Sequence, residues 1–491
     1  MAVPKTLLPI LFLAVALRLL QINEPLWLDE LHTSWVVADG VGEIAQRAAQ
    51  GNQSSLYYYV TWLFVTVLGE AEWVLRLPAL ICGVLAVAAV FTFVQCTTTS
   101  GMAAWFAALL VAFDRNGLFY SGEARPYAAV MLLGVVHLGI LYSLCKNPTT
   151  WRRIGFVAIG ALLFYTHYTA GLLFAGELAF LIKRDRPTAL KARLVDFGWL
   201  ALTLLPALPQ LWEIGGRRDN WSAFVPELKL PDLTKIVTIL PLGTYVLVPL
   251  AGVATIVGMR RTRGADSFVA RPNWLFTRLL VSTLLVPLAL AWILTYTDVA
   301  RVFFLRYVIV TASIPPLLAG LIFSCCRQPR ELVTVALLTL ASLLWSSGYL
   351  YQVAHAERLI PDRQEDWRGA VAYVNERYAD QPGPVFIEAG LIESQDTAKQ
   401  SRDDWRYYGA FPVSGIYRVA APEEDIYPVD KDSRLPADAS GGWLVVRTSD
   451  ERRVEQIAQR LRTGNIQLIS KRAFGNVWVA RLQEREPSAD D

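Results

Sequence analysis

Long apolar runs separated by short polar loops make up the first 351 residues of the chain. A helix that crosses a lipid bilayer needs about 20 mostly apolar residues, and many of these runs reach or approach that length. We therefore predict about eleven transmembrane helices. They lie at residues 6–22, 76–95, 102–120, 126–144, 152–165, 166–182, 195–212, 235–258, 279–297, 306–324 and 331–350.

Loops rich in lysine and arginine indicate which ends of these helices face the cytoplasm, because short basic loops stay on that side of the membrane. Such loops are found at residues 146–153, 183–193, 260–263 and 327–330. Their alternation predicts a cytoplasmic N-terminus and a C-terminal tail outside the cell membrane. It also places four other loops outside, at residues 23–73, 121–125, 213–234 and 298–305.

The apolar segment 55–68 is too short to cross the bilayer by itself. It contains Tyr57 and further aromatic residues, which are typical of a helix lying at the interface between lipid and water. We predict that this segment lies on the outer surface.

The pattern changes after Tyr351. Of the 89 Asp, Glu, Lys and Arg residues, 43 fall in the last 140 positions, which indicates a separate soluble domain. Amphipathic helix patterns alternate there with strand patterns. We thus predict a polytopic α-helical membrane protein with a small C-terminal α/β domain. The expected regions are a transmembrane module at 1–351, an extracytoplasmic domain at 352–483 and a disordered end at 484–491.

The composition supports a membrane location and removes some classes of partner. With 54% hydrophobic residues and a mean hydropathy of +0.35, the chain is too apolar for an ordinary soluble protein. Its net charge of +3 is small and scattered, so nucleic acid is not expected as a partner. The five cysteines lie in or beside apolar segments, and we expect neither a disulfide framework nor a zinc site.

Two acidic residues, Asp29 and Glu30, follow the first predicted span. They can be solvated charges in the first turn of a helix, where acids are favoured. A carboxylate at the boundary of lipid and water, beside Trp27 and Trp35, would instead be partly desolvated, which raises its proton affinity toward that of a general base. The residues alone leave both interpretations open.

Arginines at the outer ends of predicted spans are candidates for binding an anion. Glu123, Arg125 and Tyr127 follow one span, where they can form a local ion pair or, through the guanidinium, bind phosphate oxygens. Arg306 and Tyr307 begin another span, with Arg301 shortly before them; such arginines can also bind lipid headgroups.

His167 also lies at an outer span end, between two tyrosines. It can be a packing residue or part of a site.

Taken in order, the motifs resemble a known family. They are Leu28-Asp29-Glu30, Ser54-Ser55-Leu56-Tyr57-Tyr58, Glu72-Trp73-Val74-Leu75-Arg76-Leu77-Pro78, Tyr120-Ser121-Gly122-Glu123-Ala124-Arg125-Pro126-Tyr127, Thr166-His167-Tyr168 and Arg306-Tyr307. The sequence resembles the GT-C superfamily of glycosyltransferases, in its bacterial branch of protein O-mannosyltransferase-like and aminoarabinose-transferase-like enzymes. The resemblance covers about the first 350 residues.

The resemblance implies a donor sugar on a polyprenyl phosphate and an extracytoplasmic acceptor. It implies that Asp29 deprotonates the acceptor, that Glu30 orients it, and that Arg125 and Arg306 hold the donor phosphate. Arg301 is a third candidate for the donor phosphate, and further site candidates are Glu123, His167, Tyr57, Tyr127 and Tyr307. The chain departs from the family in one motif, because Gln53-Ser54-Ser55 stands where His-Pro-Pro is usual.

This chemistry needs neither a cofactor nor a metal ion. A hydroxyl attacks the anomeric carbon opposite the departing phosphate, which inverts that centre, and guanidiniums stabilise the developing charge. Three alternatives remain: a transporter or flippase of lipid-linked sugars, a glycan polymerase or ligase using diphosphate-linked donors, and a non-catalytic scaffold. Transporters place ionisable groups near the bilayer midplane, whereas the acids and arginines of this chain are predicted at one membrane face.

Overall fold

The computed structural model describes residues 5–184, 187–262, 272–326, 328–356, 358–393, 402–429, 441–461 and 466–484. The chain folds into two compact units. The first comprises residues 1–22, 54–57 and 76–361, and the second comprises residues 23–53, 58–75 and 362–491. The second unit thus combines the tail with most of the first predicted outer loop, a grouping that the sequence did not predict. Apart from Glu484, the predicted disordered end lies outside the described residues.

Helices account for most of the described chain. In chain order they are α1 (Leu8–Leu19), α2 (Leu28–Val37), α3 (Ile44–Gln50), α4 (Leu56–Leu68), α5 (Glu72–Thr98), α6 (Gly101–Ala112), α7 (Arg115–Ser121), α8 (Tyr127–Lys146), α9 (Thr150–Thr166), α10 (Leu172–Arg184), α11 (Pro187–Leu204), α12 (Leu208–Gly216), α13 (Arg218–Ser222), α14 (Lys235–Thr238), α15 (Val248–Thr262), α16 (Trp274–Tyr296), α17 (Ile314–Phe323), α18 (Pro329–Ser346), α19 (Tyr349–Ala356), α20 (Trp367–Tyr378), α21 (Arg402–Ser414) and α22 (Glu451–Leu461). The strands are β1 (Val385–Glu388), β2 (Ile426–Pro428), β3 (Gly441–Arg447), β4 (Ile466–Phe474) and β5 (Val477–Glu484).

Each predicted transmembrane segment coincides with a helix or with consecutive helices. Among the described residues, five stretches are long and apolar enough to cross a membrane, or up to seven if each bent helix pair is one span. The five are Glu72–Thr98, Tyr127–Lys146, Ala189–Gly216, Gly243–Arg260 and Trp274–Tyr296. The other predicted spans correspond to the shorter helices α1, α9, α10 and α17.

Both bent pairs have a local cause. Between α6 and α7 the axis turns by 57°, because the Asp114 carboxylate accepts the N–H of Gly117 (2.6 Å) and thereby starts a new helix. Between α18 and α19 it turns by 43° at Gly348, whose φ of +71° is a left-handed conformation that favours glycine.

The helices of the first unit expose large apolar side chains, each at least 61% accessible: Phe12, Trp151, Trp199, Trp212 and Trp345. Soluble monomers seldom leave so much apolar surface in water, whereas lipid chains solvate it. The surface of this unit therefore suits a bilayer, as the sequence predicted.

The C-terminal part of the second unit is an α/β domain, which confirms the sequence prediction. Its sheet has the order β2-β1-β3-β5-β4; β1 runs parallel to β2 and β3, and β5 runs antiparallel to β3 and β4. Side chains alternate across β3: Leu444 and Val446 pack in one core with Ile457 of α22, whereas Trp443 contacts Tyr373 of α20 (6.3 Å). Each face of the sheet is thus covered by a helix. The sequence missed α21 and the three-residue strand β2.

Candidate active site

A short turn between α7 and α8 carries two of the predicted site residues, Glu123 and Arg125. The N–H of Gly122 bonds back to the last turn of α7, and Pro126 stands directly before α8 with a φ of −70° that suits a helix start. The connection between the helices is therefore compact. It buries both charged residues, which are 1% and 4% exposed respectively.

Aromatic rings join this turn to two other segments of the first unit. The ring of Tyr127 lies 5.7 Å from His167, which in turn lies 6.2 Å from Tyr307. Tyr120 packs on Tyr127 at 4.9 Å, and the imidazole Nδ1 of His167 shares a hydrogen bond of 2.8 Å with the hydroxyl of Thr169. The structure thereby brings together candidates that the sequence separates by more than a hundred positions.

The charged groups near these rings are predominantly positive. Arg125 and Arg306 are both close enough to His167 for their charges to act on its ring. Glu123 and Arg306 act in the same way on Tyr120. Two guanidiniums and one carboxylate leave one net positive charge, so the electrostatics favour an anion. We name Glu123, Arg125, Tyr127, His167, Arg306 and Tyr307 the guanidinium cluster.

Arg306 packs against aromatic rings. Its guanidinium carbon lies 5.1 Å from the ring of Phe304 and 5.6 Å from the ring of Phe224. Such contacts orient a planar guanidinium and retain its charge. Arg306 is thus held in part by aromatic rings.

Arg301, the third arginine that the sequence proposed, has different neighbours. It forms ion pairs with Asp298 and Glu227, each at 2.9 Å. The hydrogen bond with Asp298 raises the pKa of the Arg301 guanidinium above its usual value. These two carboxylates balance the charge of Arg301, which makes it a weaker phosphate candidate than the sequence suggested.

Asp29 and Glu30 lie in the first turn of α2, in the second unit, and they differ in their surroundings. The Glu30 carboxylate is fully buried; it accepts the N–H of Trp27 (3.4 Å) and lies 4.0 Å from the guanidinium of Arg363. These contacts cap the helix and balance the charge of Glu30. Asp29 is only partly buried, which favours it over Glu30 as the group that meets a substrate.

The candidate Tyr57 and the aromatic residue Trp35 both lie in packed surroundings. Tyr57 is 3% exposed in the first turn of α4. Trp35, which we expected beside the acids, packs against His32 (5.6 Å) and Phe411 (5.8 Å) in the second unit.

The sequence did not single out the aromatic residues of the loop 213–234 that approach the guanidinium cluster. Trp221 and Phe224 lie 6.5 and 6.4 Å from the ring of Tyr307. The signal that could have found them was the occurrence of these rings in an otherwise polar outer loop. As for metal ions, no group of three or more His, Cys, Asp or Glu side chains suited to one is found in the part of the chain that the structure describes.

Comparisons with known proteins agree with this architecture. Residues 52–212 match the family described as dolichyl-phosphate-mannose-protein mannosyltransferase. That segment includes Arg125 and His167 but not Asp29 or Arg306. None of the curated protein sequences compared matches the chain significantly.

Among solved structures, ArnT from Cupriavidus metallidurans bound to undecaprenyl phosphate resembles the chain with a TM-score of 0.59 and 11% identity, over 98% of each chain. ArnT from the same organism in the apo state gives a TM-score of 0.55 and 12% identity, over 96% of each chain. At these identities the likeness shows the fold. The predicted fold is thus confirmed: the chain has the fold of these ArnT structures, residues 52–212 match the mannosyltransferase family, and at least five helices among the described residues are long and apolar enough to cross a membrane.

Proposed function

We propose that this protein transfers a hexosyl or pentosyl unit from a polyprenyl-phosphate carrier to an acceptor hydroxyl outside the cell membrane, with inversion at the anomeric carbon. The acceptor is a protein, a lipid or a glycan. The N-terminus lies in the cytoplasm and the tail lies outside, so the reaction takes place at the outer face.

The guanidinium cluster is the observation that carries this proposal. A guanidinium can donate two parallel hydrogen bonds to phosphate oxygens, and the cluster holds two guanidiniums against one carboxylate, an excess of positive charge that complements a phosphodiester. A polyprenyl-phosphate sugar carries one negative charge, on its phosphodiester. The match of residues 52–212 to a family named for a dolichyl-phosphate sugar, and the ArnT structure bound to undecaprenyl phosphate, support the same donor class.

In the proposed reaction the acceptor oxygen forms a bond to the anomeric carbon while the bond between that carbon and the phosphate oxygen breaks. Asp29 takes the acceptor proton. The electron pair of the broken bond leaves on the phosphate, where Arg125 and Arg306 stabilise the added negative charge.

The test is turnover by the purified protein in detergent. We expect transfer from a polyprenyl-phosphate sugar and none from a nucleotide sugar. Arg125→Lys keeps the charge but loses the two-pronged donor geometry, so it should raise the donor KM or lower kcat by roughly tenfold or more. Arg152→Lys is the matched control, because Arg152 lies at the opposite end of α9 from His167.

Three outcomes would contradict the proposal. Turnover of a nucleotide sugar would show a different leaving group. Equal effects of the two Arg→Lys changes would remove Arg125 from donor binding. Movement of a lipid-linked sugar across vesicles without any transfer would favour the transporter or flippase.

A further inference from the structure

The tail of the second unit forms hydrogen bonds to the backbone that leads into Asp29. The hydroxyl of Tyr417 accepts the N–H of Leu26 (2.8 Å), and the carboxylate of Glu365 accepts the N–H of Leu28 (3.0 Å). We propose that Glu365 and Tyr417 are positioning residues, which hold the start of α2 so that Asp29 meets the acceptor in a fixed orientation. This inference rests on the proposed role of Asp29 as the base.

Glu365 is itself held in place. The oxygen that binds the Leu28 N–H also accepts from the indole of Trp367 (2.9 Å), and the other carboxylate oxygen accepts from Arg447 (2.7 Å). The Glu365 side chain is 4% exposed. Three donors on one buried carboxylate fix its orientation, because hydrogen bonds to a charged group are strong in a site that water does not reach.

The backbone donor that Glu365 binds, the N–H of Leu28, belongs to the first residue of α2, where helical N–H groups have no partner within the helix. A negative charge there also suits the helix dipole. Asp29 is the next residue. Movement of this turn would therefore displace the Asp29 carboxylate directly.

Tyr417 is held by a second set of contacts. It accepts from Leu26 and donates to the carboxylate of Glu72 (2.5 Å), which also pairs with Arg368 (3.0 Å). Arg368 in addition donates to the carbonyl of Asn23 (2.8 Å). Burial raises the pKa of the Tyr417 hydroxyl above its usual value, and the hydrogen bond to Glu72 adds to this, so the hydroxyl stays protonated and can donate and accept at once.

The ion pairs of Arg363 hold the same stretch of backbone, the loop at residues 24–30. Its guanidinium lies 3.6 Å from Glu24 and 4.0 Å from Glu30, on either side of the backbone that Tyr417 and Glu365 bind. The loop is therefore attached to residues 363–368 and 417 of the tail from one end to the other. This gives the tail a direct part in sugar transfer.

The test is a double-mutant cycle on sugar transfer. Displacing a catalytic group by about 1 Å can cost on the order of 100-fold, so Glu365→Ala should lower kcat by about that factor while the donor KM changes less than about twofold. Tyr417→Phe, which removes only a hydroxyl, should lower kcat by roughly tenfold. Glu455→Ala is the matched control, because Glu455 pairs with Lys471 at the protein surface and should leave kcat unchanged.

The cycle then repeats Glu365→Ala and Tyr417→Phe in an Asp29→Asn background. If these residues act through Asp29, neither change should lower the residual activity further. Equal losses in both backgrounds would indicate a structural role only and overturn the inference. Unchanged kcat in both single variants would also overturn the inference, provided that Asp29→Asn is strongly impaired. Near-normal turnover of Asp29→Asn would instead refute the assignment of the base. Tyr417→Phe serves as the test if Glu365→Ala does not fold.

Discussion

Asp29 and Glu30 are neighbours with the same functional group, and the structure predicts opposite consequences for removing their charges. Asp29→Asn should lower kcat by about 10²- to 10⁴-fold, the usual contribution of a general base, and should cost less stability than Glu30→Gln because Asp29 is only partly buried. Glu30→Gln should affect stability rather than turnover. Its folded fraction should keep nearly full turnover, but the protein should be less stable.

The size of the Glu30 effect follows from its contacts. At 4.0 Å, the attraction to Arg363 amounts to about 4 kcal/mol for an effective dielectric constant near 20, before desolvation is subtracted. Glutamine can still accept the Trp27 N–H, and Arg363 keeps Glu24 at 3.6 Å, so the guanidinium does not lose all its partners. We therefore expect a loss of about 1–3 kcal/mol in stability.

The assay combines thermal unfolding in detergent with turnover of a polyprenyl-phosphate sugar, normalised to the folded fraction. Asp29→Glu keeps the carboxylate but moves it, and it should recover only part of the lost activity. The reasoning is refuted if Glu30→Gln loses turnover as severely as Asp29→Asn without a change in stability, since Glu30 would then be the base.

The remaining predictions concern topology, helix packing and the ionic requirement. Reporter fusions at Lys191 and after Leu482 should report opposite sides of the membrane, and a common side would invalidate the predicted orientation. Gly176→Ala should destabilise the protein by about 1–3 kcal/mol, because the new Cβ would lie 2.7 Å from the backbone of Thr283, whereas the control Gly198→Ala meets no atom within 4 Å and should not lower stability. A metal chelator should change turnover less than about twofold, because guanidiniums stabilise the leaving phosphate, and strict dependence on a divalent ion would contradict that assignment.

The sequence by itself determined the local structure of this protein. Apolar runs of sufficient length predicted the positions of helices such as α5, α8 and α16, because a bilayer leaves helix formation as the way to satisfy the backbone. Short apolar runs rich in β-branched and aromatic residues likewise predicted β3 and β5 in the tail. These patterns depend on residues close together in the sequence, so they can be read without knowing which surfaces pack against each other in the folded protein. The motifs further predicted Arg125, Arg306 and Arg301 as candidates, although not the carboxylates that pair with Arg301.

Only the tertiary structure decided which residues come together. The residues alone do not separate Asp29 from Glu30, and it is the approach of Arg363, more than three hundred positions away, that balances the charge of Glu30. The same holds for Arg301, whose charge is balanced by Glu227 from a loop more than seventy positions earlier. No periodic pattern encodes such pairings, because each depends on the path of the chain between the two groups. The joining of the tail to the loop that carries Asp29 was decided in the same way, by single hydrogen bonds between distant segments.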